Sequence, residues 1–460
     1  MTVLREYDHA LSATILNGLE TVGQRPSGPG MRIHGMTMLL EDPLFRRGEE
    51  ERVSRMVSSR WKLQFLAIWT GQAFSLIGSE LVGFALIWWL TMETGSGLTL
   101  AMATVATYLP IITLGPLAGT LVDRWNRRLI MIAADGAIAL FTVFLAYLYW
   151  RGAVEVWHIY ATLFLRSLGT CFHLPAMQAS TPLIVPEAYL VRVAGMNEAL
   201  SGVIYIVASP LAAWLLNVLS IQGILAIDVV TALVAIATLF FAHIPQPERA
   251  LEKRARFVGD LGEGARYLSS QRGLFLMVAI DALRRFVTLP PFMMLPLLVT
   301  RHFAGGALEL GWLQSAYGLG YVLGGLILGA WGGFRRRIVT ALLGLFGYGL
   351  SMLAMGAAPA NGYWLALGGY LGIGGMLVIY NGSIAALLQS CVPPEMQGRV
   401  FSFKRSAEKM IIPLGLLASG PLADAIDVRL LFIAGGIVCF LCGIAWVSTP
   451  IIMRLECDLV

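Results

Sequence analysis

The chain has 460 residues, of which 57% are hydrophobic and only 13% charged, against about 25% charged in soluble domains. A mean hydropathy of +0.72 excludes an ordinary soluble globule, and the net charge of +5 does not point to nucleic acid, because the basic residues sit in short connectors between apolar runs, where membrane topology accounts for them.

The first sixty residues are polar and irregular, with a turn-rich Arg25-Pro26-Ser27-Gly28-Pro29-Gly30 and an acidic Glu49-Glu50-Glu51. They read as a poorly ordered cytoplasmic tail without a cleavable signal peptide, and Met36, Met38 and Met56 are alternative starts. Twelve apolar segments come next, near 64–92, 98–122, 129–150, 157–182, 194–218, 221–243, 273–300, 308–333, 338–358, 362–390, 400–424 and 428–453, each long enough for the ~20 apolar residues that a bilayer crossing needs. Most connectors are short and carry turn residues, such as Gly95-Ser96-Gly97 and Ala360-Asn361-Gly362. The exception is 244–272, a charged stretch with Arg249, Lys253, Arg254, Arg256, Glu248 and Glu252, expected to be an amphipathic linker on one membrane face. The expected architecture is an all-α membrane protein of twelve transmembrane helices in two pseudo-symmetric six-helix bundles, 61–243 and 273–460, behind a tail of 1–60.

Lys and Arg set the orientation. Arg124, Arg127 and Arg128, Arg192, Arg335 to Arg337, and Arg399, Lys404 and Arg405 fall on the side of the linker, while the other side has only Arg151, Arg301 and Arg429. Both termini are therefore expected in the cytoplasm and the chain in the cell membrane.

The halves echo each other at about 210 residues. Gly119 to Arg128, at the end of span two, parallels Gly329 to Arg337 at the end of span eight, with Gly333 standing where Asp123 stands. Val185-Pro186-Glu187 before Arg192-Val193 parallels Pro393-Pro394-Glu395 before Arg399-Val400. Each echo is weak alone; together they imply two related bundles, an arrangement in which transporters place substrate near the midplane.

Gly119, Asp123, Arg124, Arg127 and Arg128 resemble the Gly-x-x-x-Asp-Arg/Lys-x-Gly-Arg-Arg signature of the major facilitator superfamily, with Asn126 in place of the usual glycine, a residue that also tolerates a left-handed turn. Within that superfamily the chain is most similar to drug:proton antiporters of the macrolide-efflux type, through Gly71-Gln72-Ala73-Phe74-Ser75-Leu76-Ile77-Gly78-Ser79, Leu86-Ile87-Trp88-Trp89-Leu90-Thr91 and, more weakly, Leu295-Pro296-Leu297-Leu298-Val299-Thr300. The antiporter signature of span five is only partly present, as Ala208-Ser209-Pro210-Leu211-Ala212-Ala213. The resemblance implies that the Gly119–Arg128 loop is a cytoplasmic latch and that spans one and four line a central cavity. An acid at a helix C-terminus is disfavoured by the helix dipole, so Asp123 needs a partner, either Arg127 or Arg128 or a helix N-terminus of the other half; a topology anchor is the alternative.

Ionisable groups inside the bilayer ask for a partner or a function. Glu80 sits near the middle of span one, at the edge of a stripe formed by Gln72, Ser75 and Ser79, and is the candidate proton-titrating acid or cation contact. Arg166 lies near the middle of span four, with Thr170, His173 and Met177 continuing its face; it is a candidate to neutralise Glu80 or to meet an anionic substrate group, with a structural ion pair as the other reading. Asp281, Arg284 and Arg285 in span seven are spaced to pair within the helix and leave one positive charge over, with a substrate or latch role as the other reading; Asp281 and Arg284 join Glu80, Arg166 and His173 as candidates for substrate or proton coupling. Asp135 and Asp228 fall close to their helix ends, which suggests packing or snorkelling. His173 has only Cys171 near it, and Cys439-x-x-Cys442 lies in an apolar helix, so neither a metal nor a cofactor is expected.

Glycines of span eight, with Gly325, Gly329 and Gly333 at every fourth position, suggest close packing or sliding, and Trp69, Tyr317 and Tyr380 are candidates to stack on a cationic drug. No Walker-type loop, Ser/His/Asp set or cofactor loop is present, which argues against ATP drive and against an enzyme. The expectation is a monomeric carrier in the lipid bilayer that exchanges protons for an amphipathic small molecule by alternating access, with export of a metabolite such as a siderophore, or a non-transporting sensor, as alternatives.

Overall fold

The computed structural model describes residues 43–242, 244, 246 and 257–456. By contacts the chain forms two units, Met1–Lys62 and Leu63–Val460, and the second carries the helix bundles. The start-site and tail readings, and the charged residues 248–256 of the linker, lie outside the described residues, except that residues 43–60 of the expected tail are helical.

The helices, in chain order, are α1 (Pro43–Thr94), α2 (Gly97–Val122), α3 (Arg127–Trp150), α4 (Val156–Ile184), α5 (Leu190–Val218), α6 (Ile221–Phe241), α7 (Phe257–Ser270), α8 (Arg272–Met293), α9 (Leu295–Arg301), α10 (Ala307–Trp331), α11 (Arg337–Ala357), α12 (Tyr363–Cys391), α13 (Pro394–Ala425), α14 (Val428–Val447) and a short α15 (Pro450–Met453). Among the described residues nine helices are long and apolar enough to cross a membrane, and ten crossings result if α8 and α9, bent by 46° to each other, count as one. The chain is thus a multi-pass, all-α membrane protein. The expected count of twelve adds α4 and α13, which are long enough to cross but more polar, because α4 carries Arg166 and His173 and α13 carries Arg399, Lys404, Arg405 and Glu408. Expected span seven is broken rather than continuous: Pro290 and Pro291 remove backbone donors within α8, and Pro296 restarts the chain as α9.

Two bundles result. In the first, α4 packs on α2 and α3, and α6 packs on α3. In the second, α12 packs on α10 and α11, and α14 packs on α8 and α11. The linker helix α7 lies on α13, with Gly264 against the Arg399 backbone and Glu263 paired with Arg399 at 2.8 Å. The bundles meet along two seams, α2 with α13 and α5 with α10.

Backbone approach in lipid depends on small residues, since apolar side chains gain little by leaving one hydrocarbon for another. The glycines that allow it differ from the expected ridge. Gly320 and Gly324 face Leu371 and Gly375 within the second bundle, while no described atom lies within 4 Å of where a Gly329 Cβ would stand. Gly333 has left α10 altogether and sits at φ 80° beside Thr340.

Candidate functional site

The seams are unequal along their length. A methyl added at Gly97 would stand 2.8 Å from the Gly420 carbonyl, one at Gly420 2.8 Å from Ala101, and one at Gly318 2.8 Å from the Tyr205 backbone. Farther along the same helices, at Gly115, Gly119, Gly195, Gly329 and Gly398, no described atom would lie within 4 Å. The bundles therefore touch at the face that carries Ser96 and separate toward the face that carries Asp123. Pro210 and the small residues around it lie at the closed part: Gly311 packs on Pro210, Ser209 and Ala213, and Ser209 Oγ donates to Gln314 Oε1 at 2.5 Å.

Polar bonds close the Ser96 face. Asp424, near the end of α13, accepts from the Ser96 hydroxyl at 2.9 Å and from the Gly97 and Leu98 amides at 2.6 and 3.0 Å. It thereby satisfies the exposed donors at the N-terminus of α2, where the helix dipole favours an anion. Arg301 ties the same corner together through the Ala423 carbonyl at 3.0 Å, the Gly95 carbonyl and the Asp424 carboxylate at 3.3 Å.

Behind this seal lies a cavity of about 650 Å³, lined from both bundles. Six tyrosines face it, Tyr108, Tyr205, Tyr317, Tyr321, Tyr348 and Tyr370, with Phe292 at their centre, its ring 6.2 Å from Tyr317 and 5.7 Å from Tyr370. Tyr317, one of the aromatics expected to stack on a drug, lines this cavity. Tyr380 instead lies under Arg284, and Trp69 donates to Asn197 at 2.9 Å.

Glu80 lines the cavity, and among the described residues its carboxylate has neither a hydrogen bond nor an ion pair; the charge of Arg166 acts on it from within the bundle. Arg166 itself is committed elsewhere. Its guanidinium bonds Asp228 at 2.5 and 3.3 Å and Thr142 Oγ1 at 2.5 Å, and Ser79 and Thr142 bond the same carboxylate at 3.3 and 3.1 Å. Asp228, only 1% exposed, is a buried counter-ion that joins α6 to α3 and α4, which corrects the snorkelling half of the reading from its distance to the helix end and leaves packing. Asp135 is corrected in the same way: it is buried, with Gln72 Nε2 donating to it at 3.2 Å and His173 Nε2 standing 3.3 Å away.

In the second bundle Asp281 accepts from Arg284 Nε and Nη2 at 2.9 and 2.8 Å, from Arg285 at 3.2 Å and from the Tyr380 hydroxyl at 2.8 Å. The left-over charge of Arg285 reaches Glu408 at 3.5 Å, and Glu408 also holds Lys404 at 2.5 Å. Arg284, 2% exposed, lies over the Tyr380 ring at 4.6 Å. Among the described residues two carboxylates face three cations in this cluster, which leaves the cluster one positive charge in excess. Sequence reasoning missed Asp228, Asp424 and Arg301; Asp424 had a signal, an acid at the end of a span opposite an unpaired Ser-Gly helix start.

Among the described residues the Gly119–Arg128 loop bonds to its own bundle and to Gln246 at the start of the linker. Arg127 contacts Asp123 at 3.6 Å and donates to the Ala179 carbonyl at 2.8 Å, and Arg128 donates to the Phe240 carbonyl. Asp123 and Arg124 are exposed, and Gly119 faces open space. Asn126 is not left-handed, as its place in the motif suggested; at φ −66° and ψ 110° it caps α3 by accepting from the Leu129 amide.

Comparison with known proteins decides the kinship. The family model MFS_3, transmembrane secretion effector, matches residues 60–458. The chain belongs to that family, within the major facilitator superfamily. It is 36% identical over 384 residues to macrolide efflux protein A of Streptococcus pyogenes, covering 83% of this chain and 95% of that one. It is 25% identical to the multidrug efflux pump Tap of Mycolicibacterium fortuitum, over 82% of this chain and 94% of the pump. Among solved structures the nucleoside transporter NupG superposes with a TM-score of 0.66 at 12% identity, over 86% of this chain and 100% of that one. A bacterial homologue of ferroportin superposes at 0.64 and 15% identity, over 85% and 99%. These likenesses fix the fold. The chain is a membrane transporter and not an enzyme, in keeping with the motifs its sequence lacks.

Proposed function

We propose that this chain exports amphipathic, cationic small molecules, macrolides among them, in exchange for protons and by alternating access. The observation that carries the reading is Glu80: a carboxylate without a protein partner among the described residues, in a tyrosine-lined cavity shared by both bundles. A protonated amine and a proton compete for one carboxylate, and aromatic faces add cation–π attraction while tolerating varied apolar shapes. Relatives named for macrolide and multidrug efflux support the same substrate class. An anionic cargo fits less well, because Arg284 and Arg285 already hold Asp281 and Glu408.

In this reading the arginine-rich Asp123 face is cytoplasmic, both termini lie there, the monomer is the working unit, and the conformation described is the one that loads from the cytoplasm, with the Asp424 seal closing the far side. The Gly119–Arg128 loop then engages the other bundle only when the cytoplasmic side closes. The test is substrate-stimulated proton movement in proteoliposomes holding the purified protein. Wild type is expected to move protons when a macrolide is added, and Glu80→Gln to bind drug weakly and lose the pH dependence of its transport. Unchanged pH-dependent transport by Glu80→Gln, or preferred transport of anions, overturns the reading.

A further inference from the structure

Three carboxylates are buried among the described residues: Asp135, Asp228 and Asp281. Asp228 has Arg166 and Asp281 has Arg284, partners whose charge is permanent. Asp135, 5% exposed, has only neutral Gln72 and His173, whose Nε2 is buried 3.3 Å from it without hydrogen-bond geometry. A buried carboxylate without a cation is costly. Here only a proton, on the imidazole or on the carboxylate, can balance it.

Among the described residues no Lys or Arg is paired with Asp135. The core of the first bundle repeats at seven residues, two helical turns or roughly 10.5 Å. Ser79, Thr142, Arg166 and Asp228 form one polar layer. Gln72, Asp135 and His173 form the next on α1, α3 and α4, and α6 supplies Ala235 where the first layer has Asp228. Gly78 and Gly71 admit α6 at the two levels. Beyond the second layer Ile68, Met131, Ala176 and Leu239 pack as an apolar plug from the same four helices. On the α2 side Cys171 faces the Pro110 carbonyl. The charges of the adjoining layer, Arg166 and Asp228, are bonded to each other.

We infer that Asp135 and His173 together form a second proton-binding site, inside the first bundle and apart from the Glu80 cavity. Its use in transport rests on the proton-coupled reading above; its existence does not. The seven-residue register gives it a route of influence, since α1, α3 and α4 each carry one member of both layers and Ser79 adjoins Glu80.

The test is made on the purified full chain with ¹⁵N-labelled histidine, by NMR of the imidazoles together with infrared detection of protonated carboxyl groups. His173→Gln identifies the His173 signal among the six histidines. Near neutral pH, wild type is expected to show one proton on the pair, as a His173 imidazolium or as a protonated Asp135. Asp135→Asn should leave His173 neutral at about pH 7, and His173→Gln should leave Asp135 protonated there. In vesicles Asp135→Asn should displace the pH profile of efflux by about one unit, a tenfold change in proton affinity. Glu80→Gln should leave the NMR and infrared signals of the pair intact, so a failure of the cavity reading is told apart from a failure of this one. A wild-type pair that is ionised at Asp135 and neutral at His173 wherever the protein stays folded, or a His173 signal that Asp135→Asn does not move, overturns the inference.

Discussion

Arg127 and Arg337, about 210 residues apart, make the same two contacts at the same place in the two bundles. Each opens a helix after the second crossing of its half. The Arg127 guanidinium reaches the Ala179 carbonyl at 2.8 Å and its amide meets Gln246 at 3.3 Å; the Arg337 guanidinium reaches the Ala386 carbonyl at 3.1 Å and its amide meets Glu456 at 2.8 Å. In each half a residue shortly beyond the last crossing turns back to cap the third helix.

That symmetry predicts a difference in strength. Glu456 accepts from both the Arg337 and Ile338 amides and carries a charge at a helix N-terminus, whereas Gln246 is neutral and accepts from one. Glu456→Ala should destabilise the protein by about 1 kcal/mol and Gln246→Ala by less, measured as the shift in thermal unfolding of the purified protein in detergent.

The Asp123 side chain is 73% exposed, and among the described residues its one ion pair is with Arg127, at 3.6 Å. Exposed pairs contribute little. Asp123→Asn should therefore change thermal stability by no more than about 0.5 kcal/mol and yet slow efflux several-fold if the loop engages the other bundle later in the cycle. A stable variant with wild-type efflux would reduce the loop to a topology anchor.

Asp424 joins the bundles through three accepted hydrogen bonds and the contact with Arg301. Asp424→Ala should weaken the seal by about 1–3 kcal/mol. A cysteine introduced at Leu100, which lines the cavity, should then react faster with a membrane-impermeant thiol reagent added from the Ser96 face. Equal rates with and without Asp424 would show that packing at Gly97 and Gly420 holds the seal alone.

Arg284→Ala removes the main partner of a fully buried carboxylate and should cost about 3–5 kcal/mol, enough to lower the yield of folded protein. Asp281→Asn combined with Arg284→Met should recover much of that loss, because the charge left stranded by the single change is gone. Fluorescence-detected size exclusion of wild type and the two variants compares them directly.

Much of the architecture is legible in the sequence because lipid imposes it. Helices alone satisfy their backbone within hydrocarbon, so apolar run length marks nearly every element, and the arginines at helix exits mark the repeat. Two kinds of feature stay hidden. Broken or polar crossings do, as at Pro290-Pro291 and in α4, because a hydropathy window averages over a kink or a buried charge. Pairing does as well: the chain suggests Glu80 for Arg166, when Asp228 from α6 takes it. Distance from a helix end, the only guide to Asp135 and Asp228, says nothing about which way a side chain faces. The seven-residue spacing of Gln72 and Ser79, Asp135 and Thr142, and Arg166 and His173 is visible in the chain and names the inward face directly.

Gly332 and Gly333 take φ of 76° and 80° where the first half has the α2 end and Asp123. A left-handed backbone favours glycine, so an acid regained at Gly333 would sit in a turn, whereas Asp123 caps the end of α2 in the right-handed region. If the Asp123 loop acts as proposed, it acts without an acidic twin, because the matching position of the second half is Gly333, so nothing there compensates damage to Asp123.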